Sequence, residues 1–251
     1  METLTARLQR QRVVTPRARL RARLEVAAVV IVIALTEFAS PTAGARWDTT
    51  AVTAQQATEL ITRSTVQILA FGCDLQREEG SAVVIGSGRI ITNDHVVGAS
   101  RLIDVVASGM PLTVGSASSA TGSADLASVS VPGLDLPALA LAPDNALVGS
   151  TVRLAGFPGA PPGQRESGLV ISEERVVDYV PGPPLGEPGR VMRLSGPAQP
   201  GMSGGPVLDD AGHLAGIVFG NEVATGRALA LPASLLRKLL TTSGSFAPSA
   251  C

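Results

Sequence analysis

Aromatic residues are scarce in this chain of 251 residues: one Trp, one Tyr and five Phe. So few rings provide no stacking platform for single-stranded nucleic acid. Cysteine and histidine are scarcer still, at two each, which excludes a four-ligand zinc cluster built from repeated Cys/His motifs. Charged residues make up only 16% against 45% apolar ones, too apolar a balance for a disordered chain. Helical segments of about 10–15 residues alternating with strands are missing, so a doubly wound parallel sheet is not expected. What the chain has in quantity is Gly (27) and Pro (18), residues of tight turns that favour a β-dominated fold. Its length suffices for one large core or two small ones.

The near-neutral total hides an asymmetry. Residues 1–45 carry seven Arg against three Glu, a net +4, and the remainder carries 13 basic against 18 acidic groups, a net -5. A mildly acidic body gives no reason to expect nucleic acid as a partner. The basic stretch stops at Arg23, an apolar run follows from Val26 to Leu35, and small residues fill Ala39 to Ala45. That is the layout of an export signal, with cleavage expected after Ala45 and an uncleaved anchor as the competitor. The run is short for a spanning helix, which takes about 20 residues. Export gives the two cysteines, Cys73 and Cys251, an oxidising surrounding in which an internal bridge would close nearly the whole body. Two free thiols, or pairing of Cys251 between molecules, are the alternatives.

The body divides into short elements. Residues 54–63 read as an amphipathic helix, and 234–240 as a second, with Ser234 as its N-cap. Between them, apolar runs alternate with Gly, Pro, Asn and Asp at 65–71, 81–85, 89–93, 102–106, 124–131, 151–157, 169–180, 191–195, 206–210 and 214–220. Strands at such spacing indicate antiparallel barrels or a sandwich. The Pro/Gly-rich stretches 158–167 and 181–189 read as long surface loops.

The sharpest local pattern is Gly201-Met202-Ser203-Gly204-Gly205-Pro206. Glycines around one serine build a tight loop that can present a hydroxyl and turn the amides of Gly201 and Ser203 onto a developing oxyanion. A serine nucleophile needs a base, and there are two histidines. His213 lies in a turn one strand after the serine, so the hairpin would carry it away. His95, at the end of a strand in Thr92-Asn93-Asp94-His95-Val96-Val97, is the better candidate. A base needs a carboxylate to fix its tautomer. Asp125 in Asp125-Leu126-Ala127 is the first candidate and Asp104 the second, while Asp94 would point the other way along the strand.

Taken together, Thr92–Val97, Ala124–Ala127 and Gly201–Pro206 resemble the three motifs of trypsin/chymotrypsin-like serine proteases. They are most similar to the HtrA-like branch. The order His, Asp, Ser and the spacings of 30 and 78 residues fit that resemblance. Gly80 to Val97 looks like its hairpin into the histidine, and Ala155 to Gly159 like the start of its second barrel. The closest likeness is to exported actinobacterial acid-resistance-type periplasmic proteases. In that group a cysteine before the histidine is bridged to one near the C-terminus, which implies a Cys73–Cys251 disulfide.

The resemblance implies an all-β fold of two six-stranded antiparallel barrels, at about 65–145 and 150–245; the export segment (1–45) and a linker with the start of the first helix (46–59) precede them. It implies Ser203 as nucleophile, His95 as general base and acid, Asp125 as orienter, and Gly201 and Ser203 amides as the oxyanion hole. The substrate would be a protein or peptide. No cofactor or metal is called for, a monomer is expected, and membrane contact would come only through an uncleaved N-terminal segment, anchored by residues 24–39. Pro197 stands where an Asp would select basic side chains, so a small or apolar specificity pocket is expected. Its walls would run along 195–200 and 218–221, including Pro197, Gln199, Val218, Phe219 and Gly220. Two other departures are Met202, in place of the usual Asn or Asp, and Asp94, in place of a small residue. A PDZ-like module is not expected in the 48 residues after Ser203. The competing reading is a catalytically silent or zymogen-like protease fold that binds peptides or proteins.

Overall fold

Several strands are apolar on both faces, and the chain meets this demand by closing two barrels and pressing them together. The computed structural model describes residues 52–72, 76–98, 100–107, 113–120, 125–159, 167–182, 189–241 and 246–248. The expected export segment and both cysteines of the expected bridge lie outside the described residues.

The first barrel contains β1 (Thr65–Gly72), β2 (Arg77–Gly86), β3 (Arg89–Thr92), β4 (Ser100–Val106), β5 (Thr113–Ala120) and β6 (Ala127–Ser130). They neighbour one another in the order β5-β4-β1-β2-β3-β6, and a β5–β6 pairing closes the ring. The second barrel closes in the order β10-β11-β12-β9-β8-β7. Its strands are β7 (Thr151–Gly156), β8 (Val170–Pro181), β9 (Arg190–Leu194), β10 (Pro206–Leu208), β11 (Leu214–Asn221) and β12 (Ala228–Pro232). The fold is therefore the expected pair of six-stranded antiparallel barrels. A last short strand, β13 (Phe246–Pro248), lies antiparallel on β5 with Phe246 opposite Ala120, so it adds to the first barrel.

Side-chain alternation explains how the barrels meet. Ala82, Val84 and Ile90 point into the first barrel with Val66, Ile68, Ile103, Val105 and Val129. Their sequence neighbours Val83 and Ile91 turn the other way. They pack with Leu126 and Leu139 against Ala155, Leu208, Leu214 and Ile217, making an apolar layer shared by both barrels. Each fully buried Val, Leu or Ile contributes about 1.5–3 kcal/mol, so this layer holds barrel to barrel without requiring charge. Val152, Leu154, Met192, Leu194, Val207, Val218 and Ala230 fill the second barrel, and Met202 joins them.

Among the described residues, three helices flank the barrels. Helix α1 (Ala54–Ser64) starts with a capping box: Gln56 N donates to Thr53 Oγ1 at 3.2 Å and Thr53 N donates to Gln56 Oε1 at 2.9 Å. Its Ile61 enters the shared layer. Helix α2 (Asp94–Val97) is a single turn. Helix α3 (Ala233–Thr241) begins one residue before the expected cap. Ser234 lies inside its first turn and donates its N–H to Asn145 Oδ1 at 2.9 Å, so a residue distant in sequence does the capping. No helix among the described residues is long and apolar enough to cross a membrane.

Candidate active site

β3 carries the chain to Thr92, but extended structure does not continue to the histidine as the sequence suggested. Asn93 is the last extended residue, and residues 94–97 coil into α2. The cause is local packing. Val96 and Val97 both bury in the first barrel's core, and Gly98 N–H closes back on the Asp94 carbonyl at 2.6 Å. Asp94 therefore turns over Gly98, with Oδ1 buried and unpartnered among the described residues, instead of pointing to the opposite face of a strand. His95 is left at the surface, its side chain 49% exposed.

The carboxylate that meets His95 is that of Asp125. His95 Nδ1 lies 2.8 Å from Asp125 Oδ2, and the His95 main-chain N–H donates to Asp125 Oδ1 at 3.0 Å. Asn93 Nδ2 donates to the Asp125 carbonyl at 2.8 Å, fixing the segment that carries the carboxylate. Asp104 lies buried on β4 opposite Leu69 of β1 and is not hydrogen-bonded to His95. The hydrogen bond to Asp125 holds the imidazole's pKa above its ordinary 6.5. Partial burial opposes the rise, and the charges of Asp125, Asp94 and Glu78 add to it. His213 sits in the turn between β10 and β11, 3.7 Å from Asp209 and away from this pair.

Ser203 comes from the other barrel, in the loop between β9 and β10. Gly201 (φ +91°) and Gly204 (φ +86°) both take left-handed backbone, which side-chain-bearing residues resist. β2 of the first barrel runs beside this loop: Ser81 N–H donates to the Ser203 carbonyl at 2.7 Å, and Thr92 Oγ1 donates to the Ser81 carbonyl at 2.6 Å. A Cβ on Gly80 would lie 2.5 and 2.8 Å from the Val96 methyls and 3.3 Å from the Ser203 carbonyl oxygen. The absent side chain lets the histidine's helix and the serine loop approach one another. No hydrogen bond joins Ser203 Oγ to His95 among the described residues.

The loop's amides are directed by its carbonyls. The Pro200 carbonyl accepts from Gly159 N–H at 2.9 Å, and the Met202 carbonyl accepts from Gly205 N–H at 2.9 Å. In a planar trans peptide the N–H points opposite to the C=O. Gly201 N–H and Ser203 N–H therefore face away from those donors, and neither is spent on a protein acceptor among the described residues.

The expected pocket residues lie on two neighbouring segments. Pro197 and Gln199 are exposed, Val218 is buried, and Phe219 and Gly220 are half-buried. The two segments are tied by a residue that sequence reasoning named only as the end of a wall. Asn221 Oδ1 accepts from Ala198 N–H at 2.9 Å and Asn221 Nδ2 donates to the Ala198 carbonyl at 2.8 Å. A carboxamide matches a main-chain N–H and C=O pair in this way, but nothing in the sequence places it opposite Ala198. Behind the walls, Ala198, Val218, Ala228 and Ala230 share the apolar core of the second barrel.

Paired six-stranded barrels, a histidine–aspartate pair on one and a glycine-flanked serine on the other, define a chymotrypsin-like fold. The trypsin-like peptidase domain family matches residues 80–217, and the chain belongs to that family. It is 33% identical over 152 residues to two proteins of Mycobacterium tuberculosis: serine protease MT3772 (strain CDC 1551 / Oshkosh) and serine protease Rv3671c (strain ATCC 25618 / H37Rv). Those matches cover 58% of this chain and 36% of each relative, so the chain spans little more than a third of their length. The crystal structure of the Rv3671c protease in its active form is similar with a TM-score of 0.67 and 27% identity, covering 76% of this chain and 86% of that one. HtrA-type protease AlgW with a tripeptide shares the fold, with a TM-score of 0.64 and 22% identity over 74% of this chain and 62% of that one.

Proposed function

We propose that this protein is an exported serine endopeptidase that hydrolyses peptide bonds through an acyl-enzyme. Ser203 Oγ attacks the carbonyl carbon while His95 takes its proton. Asp125 holds the imidazole and stabilises the imidazolium, and the amides of Gly201 and Ser203 receive the oxyanion. His95 then protonates the leaving amine, and water repeats the sequence to release the acid. The single observation that carries this reading is the double hold of Asp125 on His95. Proteins or peptides are its substrates. The specificity pocket takes small or apolar side chains, a reading supported by Val218, Ala228 and Ala230 behind the walls. Export rests on the basic and apolar segments before residue 46. The Cys73–Cys251 bridge belongs to the same reading, and β13 on β5 brings residue 248 to the first barrel's sheet.

The silent or zymogen-like alternative draws on one observation, the missing hydrogen bond from Ser203 to His95. Such bonds often tighten only when substrate is bound. A fluorophosphonate probe separates the two on the full chain. The wild type is expected to take the label, and Ser203→Ala is expected to take none. An unlabelled wild type would sink the peptidase reading.

A further inference from the structure

The oxyanion loop is held by three consecutive peptide groups, and one of them is pinned from the opposite barrel. Gly159 fixes the Pro200–Gly201 peptide and Gly205 fixes the Met202–Ser203 peptide, each by an N–H to the carbonyl. The peptide between them, Gly201–Met202, is gripped at both ends: Met202 N–H donates to the Gln199 carbonyl at 3.0 Å, and the Gly201 carbonyl accepts from Ser81 Oγ at 2.9 Å. Phe157 N–H donates to the same Ser81 Oγ at 2.8 Å. The direction of these bonds is fixed, because a main-chain N–H can only donate. Ser81 Oγ accepts from Phe157 and must spend its one proton on Gly201.

Ser81 is fully buried on β2, and its main chain is committed as well. Its N–H donates to the Ser203 carbonyl, and its carbonyl accepts from Thr92, three residues before His95. One residue of the first barrel thus contacts the serine, the strand that leads into the histidine's helix, and the middle peptide of the oxyanion loop. Gly201 has no side chain to oppose rotation of that peptide, so the hydroxyl on its carbonyl, together with the Gln199 carbonyl on its N–H, selects one orientation. From this we infer that the Ser81 hydroxyl is a positioning residue for the oxyanion hole, holding the Gly201–Met202 peptide so that the donors on either side of it stay aimed. This inference rests on the peptidase reading above. It adds a role for a side chain that touches neither substrate nor the imidazole.

The test uses the full chain and the rate of fluorophosphonate labelling, which needs no knowledge of the natural substrate. Ser81→Ala is expected to lower the maximal labelling rate by about 10–100-fold, below the loss for deleting a direct oxyanion donor. The half-saturating probe concentration stays within about twofold, and the pH midpoint of the rate is unchanged. Ile68→Val, in the first barrel's core, serves as a control that lowers the melting temperature while keeping the wild-type rate. If Ser81→Ala gives no folded protein, Ser81→Cys keeps the side chain's shape with a somewhat larger sulfur and a weak S–H donor, and is read the same way. The inference is overturned if the folded variant labels within about twofold of wild type, if its loss lies wholly in half-saturation, or if Ile68→Val slows labelling equally. In all three cases wild-type labelling with a dead Ser203→Ala leaves the peptidase reading standing. An unlabelled wild type removes both.

Discussion

Asp125 grips His95 at two points, the ring through Oδ2 at 2.8 Å and the main chain through Oδ1 at 3.0 Å. The two bonds fix both where the imidazole starts and which nitrogen carries its proton, leaving Nε2 free to act as a base. Asp125→Asn keeps the shape but offers an amide, which favours the wrong tautomer. Labelling and peptide hydrolysis are expected to fall by roughly 10³–10⁴-fold in maximal rate. A loss of less than about tenfold with folding retained would remove Asp125 from the mechanism.

The raised pKa of His95 sets the direction of the pH dependence. Only neutral imidazole can take the serine's proton, so labelling is expected to rise with pH through a midpoint above 6.5. Asp94→Asn removes one of the charges that raise it, and the midpoint should move down. The same shift favours the folded state on the acid side. That contribution is complete below the unfolded value and disappears as pH rises through the folded one. A flat rate from about pH 5 to 8, or an unmoved midpoint in Asp94→Asn, would contradict this.

Gly80 gives a test of how the two halves of the site approach. Gly80→Ala places a methyl against the Val96 methyls and the Ser203 carbonyl. Overpacking of this kind costs about 1–3 kcal/mol, and labelling should slow because the helix bearing His95 moves. The double variant Gly80→Ala/Val96→Ala restores room and should recover much of the rate. Thermal midpoints and labelling rates of the three variants check this; a double variant no faster than Gly80→Ala would rule out Val96 as the cause.

The proposed Cys73–Cys251 bridge is read by counting thiols in denatured, unreduced protein. None are expected, and reductant should lower the melting temperature. In the chain-entropy account so long a closed loop contributes roughly 4–5 kcal/mol. Two reactive thiols would remove the bridge.

Much of this site was legible in the sequence because its groups sit inside short motifs with strong local signals. The glycines around Ser203 announce a turn, and runs such as Ile90-Ile91 announce a strand buried on both faces. β5 gave no such signal, since TVGSASSA has almost no apolar pattern; its neighbours β4 and β6 hold it in the ladder. β12, only five residues long, reads as a plain apolar stretch until β9 and β11 flank it. The helical turn at Asp94 was missed because two adjacent valines look like strand, yet both bury when the chain coils. Ser81 and Asn221 have partners 120 and 23 residues away, a separation that no local pattern encodes.

Met202 ties the serine loop to the core of the second barrel. Its side chain is seated in the second barrel's interior against Gly156, and no ion pair anchors it. Beside the hydrogen bonds to its peptides, the serine loop is thus moored by this side chain's exclusion from water. Ionic strength has little purchase on such a mooring, and acidity reaches the site mainly through the imidazole. Withdrawing Met202 requires disturbing the greasy interior of the barrel, so release of this anchor and melting of that barrel should coincide on heating.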